Sequence, residues 1–469
     1  MTASSGPAAD RRVVVLDVVG LQSDHLGGGH APNLTELLDE EHTADLQPPF
    51  PAVTVPAQTT LATGRSPAAH GDVANGEYDR DADAVAFWER DRGDRTRIWE
   101  AAADAGLTTG ALFFQHLVGT NADVSVTPSP IEDEDNNILE MNCWTNPDGL
   151  YDDLEAEYGH FPLHNYWGPA ANERSSEWIL TAAREAIERF DPDLLWVYVP
   201  HLDYDAQRHG PDAPETDAAL ETVDELLGSF LSFLRAGERW QETVVNVVSE
   251  YGFHSVETPV FPNRALRQAG LLSVTDDGDG GEEVDLARSA AFAMVDHQVA
   301  HVYADSDVLA DARETLEALD GVAEVLGDRR KTARGIDHPN AGDLALVAEP
   351  DAWFQYYWWD ASEAAPSYAT DMDIHAKPGF DPCELFVGDA GLASLDPTQI
   401  GGSHGRVDEE TLGVYGLGGP AAPEALSPDG PVDARAVAPT IATLLGVEEW
   451  LDMDFETASL LSGVRSTWD

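Results

Sequence analysis

Lysine, cysteine and long apolar runs are all scarce in this chain of 469 residues. Only two lysines occur, Lys331 and Lys377, and the two cysteines are Cys143 and Cys383. Two cysteines are too few for the disulfide framework of a small secreted domain. We also find no run long enough to cross a bilayer and no apolar signal segment before the first strand-like run. The sequence therefore predicts a cytoplasmic protein without a membrane partner.

Positive charge is the other scarce feature. The chain has 86 acidic residues against 26 lysines and arginines, which gives a formal net charge of -60. The acids are spread between apolar runs and form no long block, which favours a folded, salt-adapted (halophile-type) surface over a disordered acidic tail. Such a charge repels nucleic-acid phosphates, so we expect no nucleic-acid partner. Hydrophobic residues still make up 43%, enough to bury a substantial core.

Short valine-rich runs alternate with amphipathic stretches along the chain. The predicted strands cover 13–19, 108–114, 194–200 and 243–250, and the clearest predicted helices cover 177–190 and 215–236. Buried strands that alternate with helices indicate an α/β fold, with a mostly parallel central sheet and helices on both faces. In such sheets, binding sites form at the carboxyl ends of the strands.

Two segments differ from this pattern. Residues 261–365 read as strand, helix and strand, and we predict a small inserted α+β cap subdomain there. The catalytic core would then comprise residues 1–260 and 366–469. Residues 120–172 are irregular and rich in Asn, Pro and Trp, which indicates a lid or a layer of loops.

Thr54 lies in the segment FPAVTVPAQTTLATG. Because Pro56 suits the first turn of a helix, we predict that Thr54 stands at a helix N-terminus, where a phosphoryl anion is favoured. A hydroxyl in that place becomes a nucleophile when a metal lowers its pKa. The alternative is that Thr54 only caps the helix. Asn75 follows in a turn of small residues, and its amide is a candidate donor to a phosphoryl oxygen.

Several chemistry-bearing residues follow predicted strands. Asp17 ends the first strand, Asp203 and Glu250 lie just beyond two others, and His404 precedes the last. Each is explained singly as a helix cap or an ion-pair partner, but together on one sheet edge they predict a divalent-metal site. Arg406, beside His404, is a candidate to contact substrate, and the alternative is an ion pair with one of the many carboxylates.

These motifs resemble the alkaline phosphatase superfamily, in its branch of nucleotide pyrophosphatases, type I phosphodiesterases and phosphonoacetate hydrolases. The resemblance rests on Asp17 with Gly20, on the helix start at residues 32–34, on the segment around Thr54, and on Asn75. It implies an alkaline-phosphatase-like three-layer sandwich that acts on small phosphorylated substrates. It also implies a two-metal mechanism, in which Thr54 attacks phosphorus and forms a phospho-threonine intermediate.

The chain departs from this family pattern at three positions. Gln207 stands where a histidine follows Asp203, and Glu250-Tyr251 replaces Asp-His, while His404 is retained. Losing two imidazoles shifts the expected preference from zinc toward manganese or magnesium, and the site would hold one or two ions. The candidate metal ligands are Asp17, Thr54, Asp203, Gln207, Glu250, Tyr251, His404 and, as a further candidate, His375.

Lys377, in the segment DMDIHAKPGFDPCELF, is a candidate substrate-binding residue because lysine is otherwise nearly absent. Its ammonium would face a phosphoryl oxygen or a carboxylate, and the alternative is a chance lysine in a Pro-Gly turn. The leading function is hydrolysis of phosphodiesters, nucleotide pyrophosphates or phosphonate-type substrates. The alternatives are a phosphomonoesterase of the same superfamily, and a degenerate member that binds a metal or phosphate ligand without turnover.

Overall fold

The structure is a computed structural model that describes residues 11–38, 42–80, 84–87, 95–133, 138–278, 280–372, 376–389, 391–424, 426, 430–451 and 460–461. The strands of these residues are β1 (Arg12–Val18), β2 (Thr43–Gln47), β3 (Gly76–Asp79), β4 (Ala84–Phe87), β5 (Thr109–Leu112), β6 (Val124–Pro128), β7 (Ile131–Glu132), β8 (Ile138–Glu140), β9 (Cys143–Asn146), β10 (Leu194–Val199), β11 (Thr243–Val248), β12 (His254–Ser255), β13 (Thr258–Val260), β14 (Val274–Asp276), β15 (Glu282–Val284), β16 (Ala291–Asp296), β17 (Val299–Ala304), β18 (Val322–Leu326), β19 (Leu344–Ala348), β20 (Ala352–Phe354), β21 (Gly402–Ser403), β22 (Gly413–Gly418) and β23 (Val432–Asp433). The helices are α1 (Pro32–Leu37), α2 (Thr54–Thr63), α3 (Pro67–His70), α4 (Ile98–Asp104), α5 (Leu150–Tyr158), α6 (Arg174–Phe190), α7 (His201–His209), α8 (Pro214–Ala236), α9 (Pro262–Gln268), α10 (Leu309–Glu317), α11 (Asp328–Arg334) and α12 (Val437–Leu445).

A nine-stranded sheet forms the centre of the molecule, in the order β23-β2-β22-β11-β1-β10-β5-β6-β9. Strands β11, β1, β10, β5 and β6 run parallel, while β22 and β9 join antiparallel. Every residue of β1 is buried, as expected for a valine-rich strand covered on both faces. The four strands predicted from the sequence are the central strands β1, β5, β10 and β11, so the mostly parallel sheet is confirmed.

Helices cover this sheet on both faces. Helix α8 contacts α1 and α6, while α12 contacts α2 and α4. Strand β10 contacts α6 of the first group and α4 of the second, and every residue of β10 is buried, which requires cover on both faces of the sheet. The predicted three-layer α/β sandwich is therefore confirmed. Among the described helices, none has both the length and the apolar character needed to traverse a bilayer.

A separate four-stranded antiparallel sheet, in the order β16-β17-β19-β18, lies within residues 261–365. Its hydrophobic cluster is distinct from the cluster around the large sheet. The prediction of one strand at the start of this segment is wrong, because the chain reverses at His297-Gln298 and forms the hairpin β16–β17. His297 permits this turn by adopting a φ of 58°. The domain limits at 261 and 365 stay a prediction.

Candidate active site

Three acidic residues lie at the carboxyl edge of the large sheet. Asp17 belongs to β1, Asp203 lies in the first turn of α7 directly after β10, and Glu250 follows β11. Because β1 pairs in parallel with both β10 and β11, these three chain positions end at the same edge. The strand order therefore places these three positions at one edge, and their role as metal ligands stays a prediction.

Asp17 and Glu250 form a buried pair of like charges. Both are at most 1% exposed, and the two carboxyl groups lie close enough to share a hydrogen bond when one is protonated. Outside this pair, both oxygens of Asp17 and Oε2 of Glu250 lack a hydrogen-bond partner. Burial raises the pKa of Asp17 to about 8, and burial followed by the charge of Asp17 raises the pKa of Glu250 well above its usual range. The amide of Gln58 donates to Oε1 of Glu250 over 2.7 Å. The pair therefore lacks a compensating positive charge, which a bound cation would supply.

Thr54 is the first residue of α2, as predicted, and its side chain borders a large cavity. Its Oγ1 lies 3.0 Å from the hydroxyl oxygen of Tyr251. The backbone N–H of Val55 donates to Oδ1 of Asn75 over 2.8 Å, and Pro56 has no N–H. Fewer backbone N–H groups are therefore available to bind an anion at this helix end than the sequence prediction assumed, although the helix dipole remains.

Tyr251 connects Thr54 with Asp203. Its hydroxyl donates to Oδ1 of Asp203 over 3.4 Å, and its ring stacks on the imidazole of His404 with centroids 3.8 Å apart. Burial, followed by the charges of Asp203 and Glu250, raises the pKa of Tyr251 well above its ordinary value. The phenol therefore stays protonated beside these carboxylates and acts as a hydrogen-bonding group.

Gln207, beside Asp203, and His404, beside Tyr251, add further buried atoms without partners. Gln207 Nε2 donates to Oδ2 of Asp203 over 2.7 Å, whereas Gln207 Oε1 is buried without a partner. The Nδ1–H of His404 donates to the carbonyl of Ala52, 2.8 Å away, and the buried Nε2 has no partner. Burial lowers the pKa of His404 to about 3, so its imidazole is neutral and able to bind a cation.

Asn75 is held by a residue that the sequence did not single out. Its backbone N–H and its Nδ2 donate to the carboxylate of Asp296, over 2.8 and 3.0 Å. Asp296 ends β16, so the predicted inserted subdomain supplies this contact. The second hydrogen on Nδ2 of Asn75 remains for another acceptor. Burial raises the pKa of Asp296 to about 7, although the bonds from Asn75 oppose that rise.

His297 is a second residue that the sequence did not reveal. It lines the cavity, its ring centroid lies 3.7 Å from that of His404, and it stacks on Phe380 at 4.0 Å. Nδ1 of His297 is buried without a hydrogen-bond partner. The signal that marks it is conformational, since a residue other than glycine with positive φ often lies at a functional site.

The cavity beside Thr54 has a volume of about 990 Å³. Lys377 forms part of its wall, but the ammonium is buried against Asp381 at 3.1 Å and Glu384 at 2.5 Å. Although burial opposes it, the charges of Asp381 and Glu384 raise the pKa of Lys377 above its usual value. The structure therefore favours the carboxylate partner among the alternatives for this lysine.

Of the two remaining candidates from the sequence, Arg406 stands apart from the cavity. Arg406 is absent from the cavity lining, and its guanidinium contacts the carbonyl of Ala348 and the carboxylate of Asp408. The structure thus favours the ion pair over substrate contact for Arg406. His375 lies outside the described residues, so its place in the ligand set stays a prediction.

The residues at the sheet edge fit a divalent cation with mainly oxygen ligands. Across the part of the chain that the structure describes, no three His, Cys, Asp or Glu side chains are grouped to hold a metal by themselves. A cation would therefore also need the hydroxyl of Thr54 or the amide oxygen of Gln207. Oxygen donors with a single imidazole suit manganese or magnesium better than zinc.

A family model described as type I phosphodiesterase / nucleotide pyrophosphatase matches residues 13–381. An uncharacterised pyrophosphatase/phosphodiesterase of Schizosaccharomyces pombe is 24% identical over 260 residues, which are 54% of this chain and 46% of the relative. The bis(5'-adenosyl)-triphosphatase enpp4 of Xenopus laevis is 24% identical over 243 residues, which are 51% of this chain and 47% of the relative. The matched part spans about half the length of these curated relatives.

Solved structures share the fold over nearly the whole chain. Murine ectonucleotide pyrophosphatase/phosphodiesterase 5, in an inactive threonine-to-alanine form with AMP, superposes with a TM-score of 0.59 at 16% identity, covering 93% of this chain and 95% of the other. Phosphonoacetate hydrolase from Sinorhizobium meliloti, in complex with phosphonoacetate, gives a TM-score of 0.61 at 15% identity, covering 94% and 97%. At these identities the likeness establishes the fold.

Proposed function

Because this chain belongs to the type I phosphodiesterase / nucleotide pyrophosphatase family, we propose that it hydrolyses phosphorus esters with Thr54 as the nucleophile. The substrate classes are phosphodiesters, nucleotide pyrophosphates or phosphonate-type compounds. One observation carries the proposal: the Thr54 hydroxyl opens on the cavity while its oxygen lies 3.0 Å from Tyr251, beside the acidic sheet edge. Two relatives support it, since one is named as a triphosphatase and another was inactivated by replacing a threonine.

The Thr54 oxygen would attack phosphorus as the bond to the leaving group breaks, and the phosphoryl group would then be held as a phospho-threonine. The proton of Thr54 has a path through the Tyr251 hydroxyl to Asp203, since the two steps span 3.0 and 3.4 Å. Water then cleaves the phospho-threonine and releases the product. Both steps keep the phosphoryl group at the N-terminus of α2, whose dipole favours its negative charge.

Asn75 would orient the phosphoryl group. Its Oδ1 is fixed by Val55 and one amide hydrogen by Asp296, so the remaining hydrogen can donate to a phosphoryl oxygen. A donor that is already oriented stabilises the transition state without a further cost of reorganisation. In this proposal Asp296 orients Asn75, and Asn75 donates to the phosphoryl oxygen.

A divalent cation completes the proposed site. Asp17, Glu250 and Thr54 form one set of ligands, and Asp203, Gln207 and His404 form another. When bound, such a cation lowers the pKa of an attacking hydroxyl and neutralises charge on the phosphoryl oxygens. The buried oxygens of Asp17 and Glu250, which have no partner outside their pair, and the unpartnered Nε2 of His404 support this assignment. We assign the protonated Tyr251 to hydrogen bonding and not to the ligands.

The test compares Thr54→Ala with Thr63→Ala, a buried threonine at the other end of α2 that does not line the cavity. Hydrolysis of bis(p-nitrophenyl) phosphate with manganese should fall by at least about a thousandfold in the first variant and little in the second. Circular dichroism would establish that both variants fold. If Thr54→Ala hydrolyses the ester at the wild-type rate, Thr54 is not the nucleophile.

A degenerate member that binds a ligand without turnover is the second candidate, and the replacements Gln207 and Tyr251 favour it. It predicts calorimetrically measurable binding of manganese with no release of p-nitrophenol from any diester or monoester. Release from a monoester alone would instead identify a phosphomonoesterase.

A further inference from the structure

The cavity beside Thr54 is much larger than a phosphoryl group, and most of its wall is apolar. Its volume of about 990 Å³ lies at the upper end of the range for sites that enclose a whole organic ligand. Aromatic and aliphatic side chains form the wall beyond Thr54, chiefly Phe113, Leu163, Tyr166, Trp167, Tyr204 and Phe380. A substrate that fills this space carries a large group besides its phosphorus.

The wall is poorly suited to a second phosphate. Among the described residues that line the cavity, Lys377 is the one lysine or arginine, and Asp381 and Glu384 already neutralise it. One ammonium against two carboxyl groups leaves no net positive charge in this part of the wall. A polyphosphate tail would bring additional negative charge here without the arginine or lysine partners that phosphates usually have.

Polar side chains such as Gln115, Ser129 and His164 also line the cavity, but the part of the wall around Trp167 and Lys377 offers little to a nucleoside. The indole N–H of Trp167 donates to Oε2 of Glu384 over 2.6 Å, so it is already used within the wall. Glu384 is further engaged by Lys377. A base and a ribose need donors and acceptors, whereas a hydrocarbon group needs only the apolar surface that Phe113 and Phe380 provide.

The mouth of the cavity is apolar as well, on a protein whose net charge is -60. Val118, Ile138, Val387 and Leu392 line it and are 45%, 40%, 75% and 63% exposed. These are four of the eight large apolar side chains that are exposed among the described residues. Their concentration at one opening marks a surface that a ligand covers.

We propose that the substrate is a phosphoester with a single phosphorus group and a long uncharged hydrocarbon substituent. The phosphorus lies at Thr54, the chain runs along the aromatic wall, and its far end contacts Val387 and Leu392 at the mouth. This inference rests on the proposed hydrolysis at Thr54 and narrows its substrate class.

The test uses p-nitrophenyl phosphodiesters of methanol, butanol and octanol together with the p-nitrophenyl ester of thymidine monophosphate. All carry one negative charge and the same chromogenic leaving group. We expect kcat/KM to rise about two- to fourfold for each added methylene until the wall is covered, because each methylene leaves water. The octyl ester should therefore exceed the thymidine ester by at least tenfold. A flat alkyl series, or a preference for the thymidine ester, overturns the proposal.

Variants at the mouth sharpen the test. In the double variant Val387→Asn with Leu392→Asn, the ratio of kcat/KM for the octyl ester to that for the methyl ester should fall about tenfold. The matched control is Trp450→Asn, since Trp450 is 47% exposed and does not line the cavity. Neither change alters the charge. An unchanged ratio in the double variant contradicts the assigned position of the chain.

Binding separates failure of this inference from failure of the proposed function. Calorimetry with methylphosphonate, octylphosphonate and adenosine monophosphate requires no turnover and applies equally to Thr54→Ala. Octylphosphonate should bind at least tenfold more tightly than either of the others. That result, with no hydrolysis of any ester, would refute the proposed function and leave the ligand class supported. Tighter binding of adenosine monophosphate would refute the ligand class whether or not the protein hydrolyses esters.

Discussion

Replacing Asp296 with asparagine should reduce activity without removing any group that contacts the substrate. Asp296 is 3% exposed and accepts two hydrogen bonds from Asn75, at 2.8 and 3.0 Å. Asparagine has the same shape but one acceptor oxygen, so one of the donors on Asn75 would face an amide NH₂. The side chain of Asn75 would then lose the orientation that its remaining hydrogen needs.

The magnitude follows from the bond that is lost. A hydrogen bond to a charged group contributes about 1.5–3 kcal/mol. Since tenfold in rate corresponds to about 1.4 kcal/mol, we expect Asp296→Asn to lower kcat/KM by about ten- to a hundredfold. The loss should appear mainly in kcat, because the Asn75 donor is proposed to act on the transition state.

Asp224 provides a matched control. It is 1% exposed and accepts bonds from the backbone and side chain of Asn33 and from the backbone of Leu34, at 2.8 and 2.9 Å. It lies on α8 and does not line the cavity. Asp224→Asn should therefore cost similar stability in urea denaturation with kcat nearly unchanged. Equal losses of kcat in the two variants, or none in Asp296→Asn, would refute the assigned role of Asp296.

Three further predictions concern charge. Removing divalent cations with a chelator should abolish turnover. It should also make stability fall as pH rises from about 4 to about 8, because the raised pKa of Asp17, about 8, lets the folded protein keep a proton that the unfolded chain has already lost across that window. Added manganese should flatten this dependence in thermal melts, and a chelated protein whose melting temperature is constant over the window would speak against the buried pair. Lys377→Met should lower the free energy of unfolding by about 3–5 kcal/mol, because it leaves Asp381 and Glu384 buried without a counter-charge. The control is Lys331→Met: the carboxylate partner of Lys331 is exposed, so this variant should cost clearly less in the same urea titration. Because the formal charge is -60, salt should stabilise the protein by screening the repulsion among its acids. The melting temperature should rise between about 0.1 and 1 M potassium chloride, as the Debye length shortens from about 10 to 3 Å. A melting temperature that falls or stays level would contradict the salt-adapted surface.

The local pattern of the sequence predicted the frame of the site. Valine-rich runs marked the four central strands, Pro56 marked the start of α2 at Thr54, and the acids after the strands indicated the functional edge of the sheet. These features depend on neighbouring residues and on a general property of parallel sheets, namely that their carboxyl ends share one edge. The family resemblance depended on the same short segments.

The orientation of the side chains was decided only by tertiary structure. Asp296 reaches Asn75 across 221 positions of sequence, and it does so because a turn at His297, which the sequence did not reveal, returns the chain as a hairpin. Lys377 and Arg406 looked equally suited to a phosphate or a carboxylate, and the fold brought carboxylates to both. Local propensity fixes which residues form a strand or a helix, whereas the partner of a buried polar group depends on which distant segments pack against it.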